Sequence, residues 1–466
     1  MNMMQKSSLA AALVAACAAV QADSEVYDHY FSWQQAPVRV DDPQAGNNVR
    51  HQVDFTVPLH GPWLTLPAET SMTVTWITRV PCAGGIQYRE KGTEEWTTRW
   101  TVKYGQVDYS REIQSYHLTG LKPATEYEYR LLSNCDNYST AYHMVKSVGR
   151  EIYSFKTVDP KRDHYKMFVT SDFHGGSRLI LDPMIDNCGA NDADFYLFNG
   201  DNVEDHVGHN IRHNITFGYL DDVVRKWGTS KPTLFVRGNH DVWGIDTYKY
   251  GDYFPQPDGK TYYAFRQGPA LFILIDTLWK AKEQLQEEQH LAYLDEQADW
   301  VRAMKKTEMW NGAKFRIAFM HVAPFPGEGD TWVGEHLFKG LFDDESKDGR
   351  IHMLVGGHVH EYWRLNPNTR ETRVSATASG YDPKKYPAKW AFRDPVPERF
   401  PYVAVSCECT EGMTIEVSPE KLTVKSHRWS VKDGGLRDAF ELTPDCQVKD
   451  LIETTAYSFV PPAKKK

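Results

Sequence analysis

Five short apolar runs in this chain each stop on the same kind of residue. Met167-Phe-Val-Thr-Ser runs into Asp172-Phe-His174, and Phe195-Tyr-Leu-Phe-Asn into Gly200-Asp201. Leu234-Phe-Val-Arg leads to Gly238-Asn239-His240-Asp241, Ile317-Ala-Phe-Met to His321, and Met353-Leu-Val to Gly356-Gly-His358-Val-His360. Short runs rich in Val, Ile and Phe read as strands buried on both faces. Leu291, Leu294, Ala298, Val301 and Met304 recur at three and four residues, which predicts an amphipathic helix within Glu283 to Lys306. Strands alternating with helices build α/β layers, and ligands gather beyond the carboxyl ends of such strands. One strand-end Asp or His is usually a cap or a satisfied polar group. Five in sequence, all from the ligand set of borderline divalent metals, point to one metal site.

The constellation D-x-H, G-D, G-N-H-D, H and G-H-x-H resembles the calcineurin-like metallophosphoesterase superfamily, over roughly residues 165 to 430. The resemblance implies two metal ions, one held by Asp172, His174, Asp201 and His360, the other by Asp201, Asn239, His321 and His358. A bridging Asp201 carboxylate would keep them about 3.5–4 Å apart, close enough to clamp one phosphate and activate one water. Mixed nitrogen and oxygen ligation suits Fe, Zn or Mn better than Mg or Ca. The implied reaction is in-line attack of a bridging hydroxide on a small phosphate ester, a monoester first and a diester second. His240 is the expected contact to the phosphoryl oxygen and donor to the leaving oxygen. Asp241 either orients it or caps the loop.

Residues 58–158 alternate in short runs separated by turns, which reads as an antiparallel sandwich. Leu118-Thr-Gly-Leu121-Lys-Pro123-Ala-Thr125-Glu-Tyr127-Glu-Tyr129 resembles the corner-tyrosine segment of fibronectin type III domains, with Trp76 as the core tryptophan. A sandwich ahead of the catalytic body is similar to the purple acid phosphatase branch. That branch has D-x-G and G-D-x-x-Y, where tyrosinate binding to ferric iron gives the colour. Here Asp172-Phe-His174 and Gly200-Asp201-Asn-Val-Glu204 replace them, so a colourless centre is expected. His336, fifteen residues past His321, is the nearest counterpart of the branch's acid histidines. His206 and His209 read as a solvated loop, with the substrate mouth as the alternative. Tyr381 to Phe400, with Lys384, Lys385, Lys389, Arg393 and Arg399, reads equally as a substrate wall and as a packed surface loop.

The expected fold class is therefore an α/β four-layer metallophosphoesterase sandwich flanked by helices (residues 163–430), preceded by an all-β fibronectin type III-like domain. Residues 1–22 read as a signal peptide, with Val20-Gln21-Ala22 before the cleavage point, and 23–57 as an N-terminal extension. The expected location is secreted or periplasmic. The alternative is a lipid anchor on Cys17, because Val14-Ala15-Ala16-Cys17 resembles a lipoprotein box. No other stretch approaches a transmembrane span. Six further cysteines in an exported chain permit disulfides, and Cys82 with Cys135 is the favoured pair. Residues 431–466 read as a C-terminal tail, and Met413–Val417 with Leu422–Lys425 as a hairpin closing the second sheet. A net charge of −9 argues against coating nucleic acid, which needs a basic face. The alternative function is a surface-binding protein that works through its sandwich and carries an inactive catalytic body. Oligomeric state is not legible from the residues.

Overall fold

A computed structural model describes residues 58–136, 144–148, 151–174, 178–203, 220–244, 247–256, 259–277, 287–323, 333–338, 341–342, 344, 346–358, 360, 362–368, 371–375, 403–406, 411–429 and 435–458. Residues 60–156 form β1 (His60–Thr65), β2 (Met72–Glu90), β3 (Thr97–Trp100), β4 (Val102–Lys103), β5 (Gln106–Val107), β6 (Arg111–Leu118), β7 (Glu126–Asp136), β8 (Met144–Val148) and β9 (Tyr153–Lys156). The long β2 belongs to both halves of this β-domain. Up to Ile77 it pairs with β1 and β6; after a register shift it pairs with β3 and β7 from Ala83 onward. Trp76, Met72, Val74, Ile86, Leu118, Tyr127, Tyr129 and Phe155 fill the core. The Tyr127 hydroxyl accepts a hydrogen bond from the Lys122 N–H at 2.9 Å, tying the turn before β7 to the core. Cys82 is buried, with Gln114 Nε2 4.0 Å from its Sγ, and the side chain of Cys135, its expected disulfide partner, lies outside the described residues.

The catalytic body holds two sheets face to face. The first has the order β12 (Thr233–Val236), β11 (Phe195–Asn199), β10 (Tyr165–Thr170), β20 (Glu411–Val417), β21 (Leu422–Arg428), β22 (Gly435–Leu442), β23 (Val448–Asp450). The second runs β13 (Tyr263–Gln267), β14 (Ala270–Ile275), β15 (Phe315–Met320), β16 (Met353–Gly356), β19 (Val403–Ser406), β17 (Arg364–Leu365), β18 (Glu371–Ser375), β24 (Thr454–Ser458). Strands β10, β11 and β12 are parallel to one another, and so are β14, β15, β16 and β19. Every residue of β11, β14 and β15 is buried, as expected of parallel strands covered on both faces. Alternate residues from both sheets, among them Val169, Leu197, Val236, Phe272, Phe319 and Val355, make the core between them.

Helix α1 (Arg178–Asn187) covers the outside of the first sheet and α2 (Glu287–Met304) the outside of the second. Leu294, Ala298, Val301 and Met304 of α2 face the sheet, so the helical periodicity places its apolar stripe correctly. The β-domain docks on the α1 side, where Trp63 and Ile77 join the outer core. Trp63 Nε1 donates to Tyr253 O at 3.2 Å, and His60 Nδ1 lies 2.9 Å from Asp221 Oδ1. No helix among the described residues is long and apolar enough to cross a membrane.

Two expectations change. The reading of 431–466 as a tail is corrected, because β22 and β23 extend the first sheet and β24 edges the second. Phe440 and Leu442 belong to the inter-sheet core, and the polar Asp438 in the same inward row is fully buried against Arg364. The β20–β21 hairpin forms around Ser418, but it lies inside the first sheet, next to β10.

Candidate metal centre

The five strand ends meet, and their loops are tied to one another by backbone. Asp172 N donates to Gly200 O at 3.0 Å and His174 N to Asp201 O at 2.8 Å, joining the ends of β10 and β11. His240 N donates to Asp201 Oδ1 at 2.8 Å, which brings in the end of β12. From the second sheet, His358 N donates to both Asp172 carboxylate oxygens at 3.0 and 3.1 Å, and Gly357 N to His321 O at 2.8 Å. Each acidic ligand candidate thus positions the backbone of another strand end.

Gly200 permits one of these close approaches. Its φ is +92°, and a Cβ there would sit 2.3 Å from the His321 ring. His321 Nδ1 lies 2.8 Å from Asn199 O, a pure acceptor, so Nδ1 carries the hydrogen and Nε2 faces the site.

Asp201 Oδ2 is the focus. His321 Nε2 lies 3.1 Å from it, His174 Nε2 3.8 Å and His240 Nε2 3.9 Å. Asp172 Oδ1 lies 3.3 Å from His360 Nε2 and 3.8 Å from His321 Nε2. Ligand atoms of Asp172, His174, Asp201 and His360 lie within 4.8 Å of one another, and so do those of Asp201, His321 and His358. The two groups share Asp201. Asp172, Asp201 and His321 are fully buried, whereas His360 is the exposed member.

The residues fit a cation. Asp201 Oδ2 and Asn239 Oδ1 are buried without a hydrogen-bond donor, which is costly unless a positive charge serves them. Burial works against the charge of His321, yet Asp201 and Asp172 hold its pKa up at about 9. Burial and then the His321 charge push His358 down to about 3, and burial lowers His360. Burial is the largest single influence on Asp201 and opposes its charge, but His321, His240 and His174 together outweigh it and hold its carboxyl below the ordinary range. A carboxylate and neutral imidazoles are the species that borderline divalent metals take, so a cation bound here would displace the proton that Asp201 and Asp172 hold on His321.

The other expected residues fall in different places. His240 borders both groups, half-buried, its ring between those of His174 at 4.5 Å and Trp243 at 4.0 Å. Asp241, expected as an orienting or substrate group, is corrected to an internal tie. Fully buried, its carboxylate accepts from Gly238 N at 2.8 Å, from Asn202 N and Nδ2 at 3.0 Å, and from Val203 N at 3.2 Å. Burial, then the Asp201 charge, raises its pKa to about 7. His336 is paired with Asp295 of α2 at 2.9 Å and belongs to neither group. His206, His209, Glu204 and Tyr381–Phe400 lie outside the described residues. Sequence reasoning missed Trp243, and it missed a sixth strand end, Leu271-Phe-Ile-Leu-Ile275 running into Asp276, which has the pattern of the other five.

Residues 165–362 match the calcineurin-like phosphoesterase family, and residues 60–157 match the N-terminal domain of purple acid phosphatase. Residues 165–362 thus form a calcineurin-like phosphoesterase domain. Among solved structures, the purple acid phosphatase PPD1 from yellow lupin (Lupinus luteus) seeds aligns with 85% of this chain and 79% of its own. The TM-score is 0.53 and the identity 12%. PhoD aligns with 85% of this chain and 92% of its own, with a TM-score of 0.53 and 10% identity. At such identities the likeness is one of fold. No curated protein matches the sequence. This phosphoesterase is thus a metal-dependent phosphoric ester hydrolase with a mixed α/β catalytic body behind an N-terminal β-domain.

Proposed function

We propose that this phosphoesterase is an exported enzyme that hydrolyses small phosphate esters, monoesters first, with two metal ions drawn from Fe, Zn and Mn. The sharing of Asp201 between two ligand groups carries the reading. Asp172, His174, Asp201 and His360 would hold one ion, and Asp201, Asn239, His321 and His358 the other. Such a pair supplies a water made nucleophilic near neutral pH and a positive clamp for the phosphoryl oxygens. It also reverses, at one place, the sign of a chain whose net charge is −9.

The protein's own groups do the rest. Asp201 keeps one carboxylate oxygen on each side of its loop: Oδ1 accepts from His240 N, while Oδ2 faces the imidazoles. Asn199 O holds the His321 tautomer that leaves Nε2 free of hydrogen when the ring is neutral. His240, assigned to neither ion, combines partial exposure with a ring nitrogen 3.9 Å from Asp201 Oδ2, which supports the role of contacting a phosphoryl oxygen and handing a proton to the leaving oxygen. Export rests on the leader at residues 1–22, and a mature N-terminus at Asp23 would distinguish it from lipidation at Cys17.

The test compares rates on an aryl phosphomonoester and a diester for metal-replete wild type and Asn239→Ala. The monoester should be cleaved faster by the wild type, and the variant should lose a hundredfold or more. Equal rates from both proteins, or none from either, would refute the reading.

A further inference from the structure

The second ligand group draws on both sheets: Asp201 and Asn239 follow strands of the first, His321 and His358 strands of the second. The apolar core between the sheets is non-directional and does not by itself set a ligand distance to a few tenths of an ångström. Arg237 is the first residue after β12 and lies two before Asn239; Asp276 is the first after β14. The register pairs Ile275 with Met320, so Asp276 stands beside His321. One guanidinium nitrogen of Arg237 lies 2.6 Å from Asp276 Oδ2, with the acid fully buried and the arginine side chain 13% exposed.

Asp276 is itself fixed to the second sheet's outer layer. Its Oδ2 accepts from Thr261 Oγ1 and from Tyr293 OH, and Gln297 of α2 bonds both its backbone N–H, at 3.0 Å, and its carbonyl, at 2.7 Å.

We propose that Arg237 and Asp276 are positioning residues for the second ligand group, fixing the Asn239 loop of one sheet against the His321 strand end of the other. The inference rests on the reading of that group as a metal site. A buried ion pair is a weak source of stability, since desolvation offsets most of its attraction, so its use here is directional. Asp241 performs the matching task within the first sheet, binding the Asn239 loop to the Asp201 loop. Together the two acids triangulate Asn239 from both sides.

The experiment titrates Zn²⁺ into metal-stripped full-length protein and resolves the binding steps by calorimetry. Wild type should show two steps, and Asn239→Ala marks the one belonging to the second group. Arg237→Met/Asp276→Leu removes both charges together and leaves no buried charge unpaired; urea unfolding checks that it folds. The marked step should weaken ten- to a hundredfold, the usual range for loss of a residue that orients a ligand, while the other step stays within about twofold. Arg237→Lys, which keeps the charge, should recover part of the loss. If the double variant does not fold, Asp276→Glu moves the carboxylate by one methylene and should weaken the same step. Both steps unchanged in a folded variant, or both weakened equally, overturn the inference. A single step in the wild type would instead sink the two-metal reading, and this inference with it.

Discussion

Gly200→Ala should damage the centre without touching a ligand. The backbone at Gly200 has φ +92°, and the new methyl would stand 2.3 Å from His321 Cγ and 2.4 Å from its Nδ1. Carbon contacts sit near 3.5–4.0 Å, so the ring must retreat by more than about 1 Å. Three losses follow: backbone strain of about 1–3 kcal/mol, overpacking of about 1–3 kcal/mol, and the His321 to Asn199 hydrogen bond at about 1 kcal/mol. A total of about 3–5 kcal/mol is expected once relaxation is allowed. Gly189→Ala is the control. Its φ is +71°, but its nearest neighbour would be Thr414 Cγ2 at an ordinary 3.7 Å, so only the strain of about 1–2 kcal/mol applies. Urea unfolding of both metal-stripped variants measures the difference, and metal content gives the functional consequence. Ligand distances tolerate about 0.2 Å, so Gly200→Ala should lose the metal that depends on His321 while Gly189→Ala keeps it. Equal stability and equal metal content in the two variants would refute the argument.

Arg364 is fully buried, with Nε 2.7 Å from Asp438 Oδ2 and a terminal nitrogen 2.7 Å from Asp450 Oδ1. Arg364→Met should therefore cost about 3–5 kcal/mol in urea unfolding, and adding Asp438→Leu should recover most of it; a single variant as stable as wild type would oppose this. His352 is buried, accepts from Arg316 N and donates to Pro444 O, and burial with the Arg316 and Arg350 charges pushes its pKa to about 3. Its contribution to stability is complete above the unfolded value of about 6.5 and is lost as pH falls toward 3, by about 1.4 kcal/mol per pH unit. Between pH 6.5 and 4.5 the wild type should therefore lose about 2–3 kcal/mol more than His352→Gln, and parallel slopes would contradict that. Iron-loaded protein should show no iron–tyrosinate band in the visible spectrum, because His174 stands in the ligand group and Glu204 replaces the tyrosine; a purple protein would refute it.

The interior of the catalytic body was legible because its strands are buried on both faces, and unbroken runs such as Ile317-Ala-Phe-Met320 admit few other readings. The C-terminal strands were not. In β22 the inward row holds Asp438 before Phe440 and Leu442, and an acid there reads as solvent-facing unless its partner is known. That partner is Arg364, seventy-four residues earlier, a distance that no local pattern spans. Asp276 was missed differently. Its strand end matched the rule applied to the other five, but a lone Asp without a neighbouring Gly or His carries no ligand signature.

What residue types could not supply is the backbone of the site. Asp172, His174, Asp201, His358 and His360 all have φ between 49° and 70°, the left-handed region that non-glycine residues seldom occupy. Strain of that kind persists only where surroundings over-determine it. Here they do: the Asp172 carboxylate holds the N–H of His358, Asp201 holds those of His174 and His240, and Gly200 holds that of Asp172. These bonds hold the candidate ligand residues in backbone conformations they would not choose alone. Replacing Asp172 by Ala would remove a candidate ligand and also the carboxylate that accepts from the His358 N–H. Loss of a ligand oxygen and relaxation of a strained loop then act together, and Asp172→Asn, which keeps an acceptor for that N–H, should separate them. If positioning matters as argued, Asn at 172 binds metal more tightly than Ala by more than its weaker oxygen accounts for. Equal affinities in the two variants would mean that the loops hold their shape without the carboxylate.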